Sequence, residues 1–298
     1  MELRQLRYFV EVAEREHVSE AAVALHVAQS AISRQIANLE AELGVELFER
    51  EGRNVRLTHI GKIFLTHTKT ALKAIDHAKK QIDEYIDPER GSIKIGFPTS
   101  LASNFLPSVV SAFKKLHPKI GFQLRQGSYN FLIESVENRE LDVAFLGPVF
   151  TEHPDIIGDV LFEENFYALV PRSHPLAEAK SVDFKELYNE DFVLFPEGFI
   201  LHQLVIDGCE NAGFTPRVTS EGEDLDAIKG LVAAGIGITL LPESAFNDLN
   251  SDYSVKVAIK NPELTRTVGL IIPKHRRLAP SEQVFYDFVK YYFANKSR

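Results

Sequence analysis

Residues 29–44 read QSAISRQIANLEAELG, and this stretch decides the fold of the N-terminal region. At about 100° per residue its large apolar side chains lie within about 60° of one another; they are Ile32, Ile36, Leu39 and Leu43. This spacing predicts a helix with one buried stripe, and Gly44 is typical of the residue that follows a helix C-terminus. The opposite face carries small or hydrogen-bonding side chains and a single positive charge, Arg34.

Shorter patterns on both sides extend this helix into a small domain. Apolar residues at steps of three and four predict a helix over residues 3–13, and Ser19 is the expected N-cap of a second helix, SEAAVALH. After Gly44, the segment VELFEREGRNVRLT places the turn signal EGRN between two short apolar runs. That arrangement predicts a two-stranded wing, whose arginines are Arg50, Arg53 and Arg56.

A long helical pattern follows the wing. It begins at Thr58, the expected N-cap, and its apolar side chains recur at steps of three, four or seven at Ile60, Phe64, Ala71, Ile75, Ala78, Ile82 and Ile86. No sheet or domain lies beside this pattern in the sequence, so we expect its stripe to pack against a second copy of the chain. The polar segment DPERGS, residues 87–92, contains Pro and Gly and predicts a domain boundary.

Beyond that boundary, short β-like runs such as IKIGF, FQLRQG and LDVAFLG alternate with helical segments. The alternation predicts an α/β domain on a largely parallel sheet. A second similar unit begins near Leu161, and two such halves predict a cleft between them. The expected domains are residues 1–58, a linker and dimerisation helix with a hinge at 59–90, and residues 91–298. In the last of these, lobe I covers about 91–161 and 267–298, and lobe II covers about 162–266.

Charge and hydropathy limit what the chain binds. The 298 residues carry a formal net charge of -9, which disfavours attraction of the whole molecule to nucleic acid or an anionic membrane. Residues 1–65 alone contain eight Lys plus Arg and ten Asp plus Glu, so any contact with DNA must be local. No apolar run approaches the roughly 18 residues of a membrane helix, and the N-terminus lacks the core of a secretory signal. We therefore expect no membrane association and a cytoplasmic location.

Sequence signatures of catalysis and of cofactor binding are missing. No GxSxG, HExxH or Walker sequence occurs, and the histidines have no ligand-like spacing with Cys or carboxylates. The stretch GLVAAGIGITLLP lacks a third glycine at the dinucleotide-binding spacing. Cys209 has no cysteine partner and is expected to be a buried structural thiol. The sequence therefore predicts no enzyme, no metal site and no cofactor.

Residues 6–58, from LRYFVEVAEREHV to LFEREGRNVRLT, resemble the N-terminal winged helix-turn-helix of the LysR-type transcriptional regulators. The remainder looks like that family's bilobal, periplasmic-binding-protein-like effector domain. The resemblance implies a multidomain α and α/β fold with a long linker helix between the two parts. It also implies a sequence-specific regulator, in the role of an activator, that binds double-stranded promoter DNA as a homodimer or homotetramer and acts with RNA polymerase.

The resemblance assigns roles to residues of the helix and the wing. It implies that four side chains of the helix face the major groove, namely Gln29, Ser30, Ser33 and Arg34. Helical periodicity independently turns the last three outward, although Arg34 by itself is as consistent with a surface ion pair. Arg53 is expected at the minor groove. Arg50 and Arg56 flank Glu49 and Glu51, so phosphate contact and intramolecular pairing both remain open for them.

A second group of residues is expected to bind a small effector. Thr99 and Ser100 lie between a strand that ends at Pro98 and a helix that begins near Leu101, where an anion site and ordinary N-capping are both consistent with the sequence. The resemblance adds Ser128, Pro148 and the segment FPEGF, with Phe195 and Glu197. Arg125 is a candidate carboxylate partner, unless strand alternation turns it to solvent.

The nature of the effector is implied by a closer similarity. Segments such as AISRQIANLE and FVLFPEGF resemble family members that control glutamate synthesis in bacilli, which implies glutamate or 2-oxoglutarate as the carboxylate. The competing interpretation is a solute-binding protein or an enzyme on the same bilobal fold. Residues 1–90 have no role in either, which favours the regulator.

Overall fold

In the computed structural model, which describes residues 1–51, 54–86, 91–103, 105–246 and 252–296, the chain divides into two units. The first is Met1–Asp83 and the second is Glu84–Arg298. The predicted boundary segment 87–92 falls largely on residues 87–90, which lie outside the described residues. The three-part division expected from the sequence stays a prediction.

The first unit contains helices α1 (Leu3–Arg15), α2 (Val18–Ala24) and α3 (Gln29–Leu43), the hairpin β1 (Phe48–Glu51) and β2 (Asn54–Leu57), and all but the last three residues of helix α4 (His59–Ile86). The stripe predicted for α3 is buried at Ile32, Ile36 and Leu39, whereas Leu43 in the last turn is 37% exposed. Gly44 ends the helix with φ of 72° and donates its N–H to the Glu40 carbonyl at 2.8 Å. The left-handed conformation at this position explains the glycine.

Helix caps in the first unit agree only in part with the sequence. Thr58 caps α4 as predicted, because its hydroxyl accepts a hydrogen bond from the Gly61 N–H at 2.9 Å. The expected cap at Ser19 is wrong: the N-cap of α2 is His17, two residues earlier, and the His17 side chain accepts the Glu20 N–H at 3.3 Å. The Ser19 hydroxyl instead donates to the Gln29 side chain at 3.0 Å.

The apolar residues of helix α4 differ in burial along its length. Toward its start, Phe64 packs 5.1 Å from the ring of Phe9, and Leu65 and Leu72 cover the same core. Phe64 was expected in the stripe that meets a second copy, and that part of the expectation is wrong because the α1–α3 core covers it. The backbone of α4 approaches the segment before β1 closely, because a Cβ at Gly61 would lie 2.1 Å from the Leu47 carbonyl oxygen. Near the end of the helix the apolar side chains are exposed, at Ile82 (61%), Tyr85 (84%) and Ile86 (76%).

The second unit begins with β3 (Ser92–Phe97), α5 (Phe105–Leu116), β4 (Gly121–Gln126), α6 (Tyr129–Glu137) and β5 (Val143–Leu146). The long strand β6 (Ile156–Pro171) follows, and then β7 (Ser181–Asp183), β8 (Asp191–Leu194), α7 (Ile200–Asn211), β9 (Arg217–Glu221), α8 (Leu225–Ala233), β10 (Thr239–Pro242) and β11 (Ser254–Lys260). Strand β12 (Thr265–Pro273) and helix α9 (Pro280–Lys296) complete it.

Strand directions explain how the two lobes are joined. Strands β3, β4 and β5 are parallel to one another, as are β8 with β9 and β7 with β11. The first part of β6 pairs antiparallel with β12, and its second part lies between β10 and β11, again antiparallel. Strand β5 also pairs antiparallel with β12. The prediction of a largely parallel sheet is therefore only partly correct, because every pairing of β6 and β12 is antiparallel. The chain crosses to lobe II along β6 and returns along β12, so these two strands must run in opposite directions.

Each lobe has its own apolar core. Lobe I packs α5 and α9 on β3, β5 and β12, with Phe113, Phe145 and Phe285 fully buried. Lobe II packs α7 and α8 on β8, β10 and β6, and its core includes Cys209. Burial raises the pKa of the Cys209 thiol to about 12, and the charge of Glu210 adds to that shift. The thiol is therefore buried and protonated at neutral pH, as expected for a structural residue. Among the described residues, no helix is both long and apolar enough to cross a membrane.

Candidate nucleic-acid interface and ligand cavity

Helix α3 presents the four residues predicted to read DNA on its outer surface. Gln29, Ser30, Ser33 and Arg34 are all exposed, while the opposite side of the same helix forms the core. Within the described residues, no carboxylate forms an ion pair with Arg34, so the competing interpretation as a surface ion pair gains no support. A guanidinium on a small, hydroxyl-rich helix face can donate two hydrogen bonds to one guanine.

Gln29 and Ser33 also line a groove of about 300 Å³ between α3 and the wing, together with Asn54 of β2. The Gln29 side-chain oxygen accepts a hydrogen bond from the Ser19 hydroxyl, so Gln29 connects α2 with the start of α3. Helix α3 has no side-chain cap at Ala28. Its first backbone N–H groups therefore have no capping side chain and are suited to a phosphate oxygen.

The wing is an antiparallel hairpin in which Phe48 pairs with Leu57 and Arg50 with Val55. Arg56 lies on β2 and is exposed. The side chain of Arg50 and all of Arg53 lie outside the described residues. The strands of the predicted wing are thus present, and the roles of its arginines stay predictions.

The second unit contains a cavity of about 380 Å³ between its lobes. Four of the predicted effector residues line it, namely Thr99, Ser100, Ser128 and Phe195. The other lining residues are Pro98, Gln126, Gly127, Tyr129, Gly198, Phe199, Ile200, Leu201 and Arg266. Hydroxyl and amide groups come from lobe I and aromatic and aliphatic groups from lobe II, so the cavity has a polar and an apolar side.

Hydrogen bonds fix the polar side. The Thr99 hydroxyl accepts a bond from the Gln126 amide at 2.7 Å, and Ser128 caps α6 by accepting the Phe131 N–H at 3.4 Å. The helix expected near Leu101 is a 3-10 turn over Thr99–Leu101, and α5 begins only at Phe105. Ser100 is therefore not the cap of a long helix. It is 3% exposed, and its hydroxyl accepts a bond from Arg266.

The apolar side is built around α7. The rings of Phe195 and Phe199 stack with centroids 5.5 Å apart, and the His202 ring nitrogen Nδ1 is 2.7 Å from the Phe195 carbonyl oxygen. Phe199 is the N-cap of α7 and provides no side-chain cap, and the first two helical residues, Ile200 and Leu201, line the cavity. The first backbone N–H groups of α7 therefore begin at the cavity wall.

Three predicted effector residues are not among those lining the cavity. Arg125 forms an ion pair with Glu140 at 3.3 Å, stacks over Phe131 and is half exposed, because it lies on the edge strand β4. This is the solvent-facing alternative considered for it. Glu197 is exposed in the turn before α7, and Pro148 follows Gly147 at the end of β5.

Sequence reasoning missed the charged pair Arg266 and Glu164. Arg266 on β12 lies directly opposite Glu164 on β6, and its Nη2 is 2.7 Å from the Glu164 carboxylate. The guanidinium is fully buried and also donates to the Gly147 carbonyl at 3.1 Å and the Ser100 hydroxyl at 3.0 Å. Burial lowers the pKa of Arg266, and the charge of Glu164 opposes that shift. In the sequence, Arg266 stands between Thr265 and Thr267, and nothing in this polar run indicates a buried arginine.

Known proteins were compared with the whole chain. A family model described as LysR substrate binding domain matches residues 87–294, and one described as bacterial regulatory helix-turn-helix protein, lysR family, matches residues 3–62. The transcriptional dual regulator GltC of Bacillus subtilis is 65% identical over 294 residues, which cover 99% of this chain and 98% of that protein. A probable nitrogen assimilation transcriptional activator of Synechococcus elongatus is 28% identical and covers 96% of this chain and 93% of its own.

Among solved structures, full-length CbnR complexed with its target DNA superposes with a TM-score of 0.78 at 27% identity. The match covers 98% of this chain and 99% of that one. Both the helical unit and the bilobal unit are therefore matched in a single known chain.

Proposed function

The chain belongs to the LysR family of DNA-binding transcriptional regulators, and we propose that it activates a promoter when a small carboxylate binds in the interlobe cavity. It is a regulator and not an enzyme, and the alternative of a solute-binding protein is set aside because residues 3–62 match the helix-turn-helix model. We propose that it acts in the cytoplasm, together with RNA polymerase.

The exposed face of α3 is the observation that carries the DNA-binding part of this proposal. Gln29, Ser30, Ser33 and Arg34 enter the major groove, and Arg34 donates two hydrogen bonds to a guanine, a contact of about 1 to 3 kcal/mol in discrimination. The wing arginines Arg50, Arg53 and Arg56 contact phosphates and the minor groove. Since the chain is acidic overall, the specific site must supply most of the affinity, and non-specific binding is weak at moderate salt.

Dimerisation supplies the second half of the recognition. The exposed apolar side chains at the end of α4, Ile82, Tyr85 and Ile86, pack against the same helix of a second copy. The dimer binds two half-sites related by two-fold symmetry and separated by one or more turns of DNA. Two dimers form the tetramer that the family resemblance implies.

The cavity between the lobes holds the effector. Its volume of about 380 Å³ suits a small metabolite, and Thr99, Ser100 and Ser128 supply hydroxyl groups on the polar side. Three predicted effector residues do not line this cavity, namely Arg125, Pro148 and Glu197. They contact the effector only if the lobes rearrange around it. Similarity to glutamate-related regulators and to a nitrogen assimilation activator supports glutamate or 2-oxoglutarate.

Fluorescence anisotropy tests the regulator directly. The full chain is titrated against a labelled duplex of its own upstream region and against a scrambled duplex of the same base composition. We expect specific binding at about 0.15 M salt that is at least about 10³-fold tighter for the upstream duplex, because specific sites commonly exceed non-specific ones by that margin. Equal affinity for the two duplexes would contradict the proposal.

A further inference from the structure

The interlobe cavity contains one buried cation with an acidic partner. Of the described residues that line the cavity, only Arg266 carries a positive charge at neutral pH, and its side chain is fully buried. A guanidinium in this position is costly to bury alone, and Glu164 compensates its charge through two contacts, Nε at 2.8 Å and Nη2 at 2.7 Å. An anion that enters the cavity meets this charge and no second one.

Arg266 also joins the two lobes. Toward lobe I it donates to the Ser100 hydroxyl at 3.0 Å and the Gly147 carbonyl at 3.1 Å, and toward lobe II its Nη2 is 3.4 Å from the Ser244 hydroxyl. Glu164 in turn accepts the Ser244 N–H at 2.8 Å. These bonds start from β6 and β12, the two strands that cross between the lobes. Any change in the partners of Arg266 therefore alters contacts in both lobe I and lobe II.

Ser100 is the partner of Arg266 that a ligand can replace, because it lines the cavity and Gly147 and Ser244 do not. A carboxylate oxygen accepts from Nη2 more strongly than a neutral hydroxyl does, since both groups are then charged. Once displaced from Arg266, the Ser100 hydroxyl becomes available as a donor to the same carboxylate. No proton is transferred in this exchange.

We propose that Arg266 is the carboxylate receptor of the interlobe cavity, that Glu164 sets its charge preference, and that exchange of the Arg266–Ser100 bond for an Arg266–ligand bond couples binding to lobe movement. The inference rests on the proposed effector function and names the chemistry of its site. Glu164 already balances the charge of Arg266, so the site offers one guanidinium to one carboxylate and no surplus positive charge to a second. The remainder of the ligand is held by neutral donors such as Gln126 and by the Phe195 and Phe199 rings.

Calorimetry of the full chain tests the receptor role with 2-oxoglutarate, glutamate and the monocarboxylate 2-oxobutyrate as probes. Arg266→Gln alone leaves Glu164 without its counter-ion, so the key variant is Arg266→Gln with Glu164→Gln, which keeps size and neutrality. We expect this double variant to remain folded, with a cooperative thermal transition, to bind the upstream DNA, and to lose about 10- to 100-fold in carboxylate affinity. Unchanged affinity in the folded double variant would overturn the assignment.

Charge selectivity provides a readout that a purely structural role does not move. Glu164→Gln leaves the charge of Arg266 uncompensated and so adds one net positive charge beside the cavity. Because 2-oxoglutarate carries one more carboxylate than 2-oxobutyrate, the ratio of their affinities is expected to rise about tenfold in favour of 2-oxoglutarate. A ratio equal to that of the parent overturns the role of Glu164. If the parent chain binds none of the probes yet binds its upstream DNA specifically, the carboxylate part of the proposed function fails together with this inference. Binding by the parent that survives in the double variant overturns the inference alone.

Discussion

Arg34 combines the features expected of a base-reading side chain. It is exposed on α3, it lies on the face opposite Ile32 and Leu39, and its neighbours on that face are small. Lysine would keep the charge here but not the two parallel donors that match guanine O6 and N7. Specificity is therefore expected to depend on the guanidinium itself rather than on positive charge.

The prediction at this scale concerns Arg34→Ala. We expect it to lower affinity for the upstream duplex by about 1 to 3 kcal/mol and to relax base preference at one position of each half-site. Arg56→Ala in the wing is expected to weaken binding to all sequences and to flatten the salt dependence by about one unit. Arg4→Ala, which removes an equally exposed charge from α1, is the control. Anisotropy against single-base operator variants measures all three, and an Arg34→Ala effect equal on every duplex would refute the base contact.

The residues that sequence reasoning found and missed differ in a physical way. Arg34 could be placed because helical periodicity reports which side of one element faces the core. Arg266 could not, because its role depends on Glu164 and Ser100, which are 102 and 166 positions away in the chain. In the sequence its two neighbours, Thr265 and Thr267, are polar, so the local pattern does not indicate that Arg266 is buried. The pairing of β12 with β6 places Arg266 directly opposite Glu164, and only the structure shows this pairing.

At the scale of elements, α4 has one periodic pattern whose apolar residues differ in what covers them. Its first turns are held to α1 by the core contact of Phe64 and by ion pairs from Lys69 to Glu14 and from Arg7 to Asp76. Past Asp76 the apolar residues have no such cover, as the exposure of Ile82 and Ile86 shows. The periodic pattern predicts the helix and its length. It could not show which apolar residues meet the α1–α3 core and which stay exposed, because both groups lie at similar angles around the helix axis.

Two variants of α4 separate these roles. Ile82→Ser with Ile86→Ser is expected to weaken self-association, since each removes apolar surface from the proposed dimer contact. Phe64→Ala is expected to lower the unfolding free energy by about 2 kcal/mol, less than for a fully buried ring, and to leave the dimer intact. Light scattering over a concentration series and thermal melting measure the two effects. Unchanged mass at every concentration in the double serine variant would argue against α4 as the dimer contact.

At the scale of the whole molecule, the alternating pattern was sufficient to predict two α/β lobes and a cleft. It missed β11, whose SVKVAIK run was not recognised as a strand, and it placed the start of the second unit near Leu161, inside what is one continuous strand, β6. Local sequence does not record which strand will pair with which, so strand direction and the crossing between lobes had to come from the structure. The cavity residues Thr99, Ser100, Ser128 and Phe195 were nevertheless brought together as expected.

The crossing strands also determine the order in which the protein can be completed on the ribosome. The chain leaves lobe I after Asn165 and returns at Thr265, where the Phe166 N–H and the Leu264 carbonyl are hydrogen-bonded at 2.7 Å. In the cluster of lobe I that contains Phe113, Phe145 and Phe285, six of the sixteen buried apolar residues come from β12 and α9, which are made last. Lobe II needs only β6 to β11, all synthesised before them.

Nascent chains that end after Leu264 and continue into an unstructured linker long enough to fill the ribosomal exit tunnel should therefore contain a protease-resistant lobe II, while residues 92–146 are still cleaved. Protection of both lobes in such chains would contradict this order. Chaperones that bind exposed apolar surface would then meet lobe I for longer than lobe II. Lobe I is therefore the lobe whose synthesis begins first and whose core is completed last.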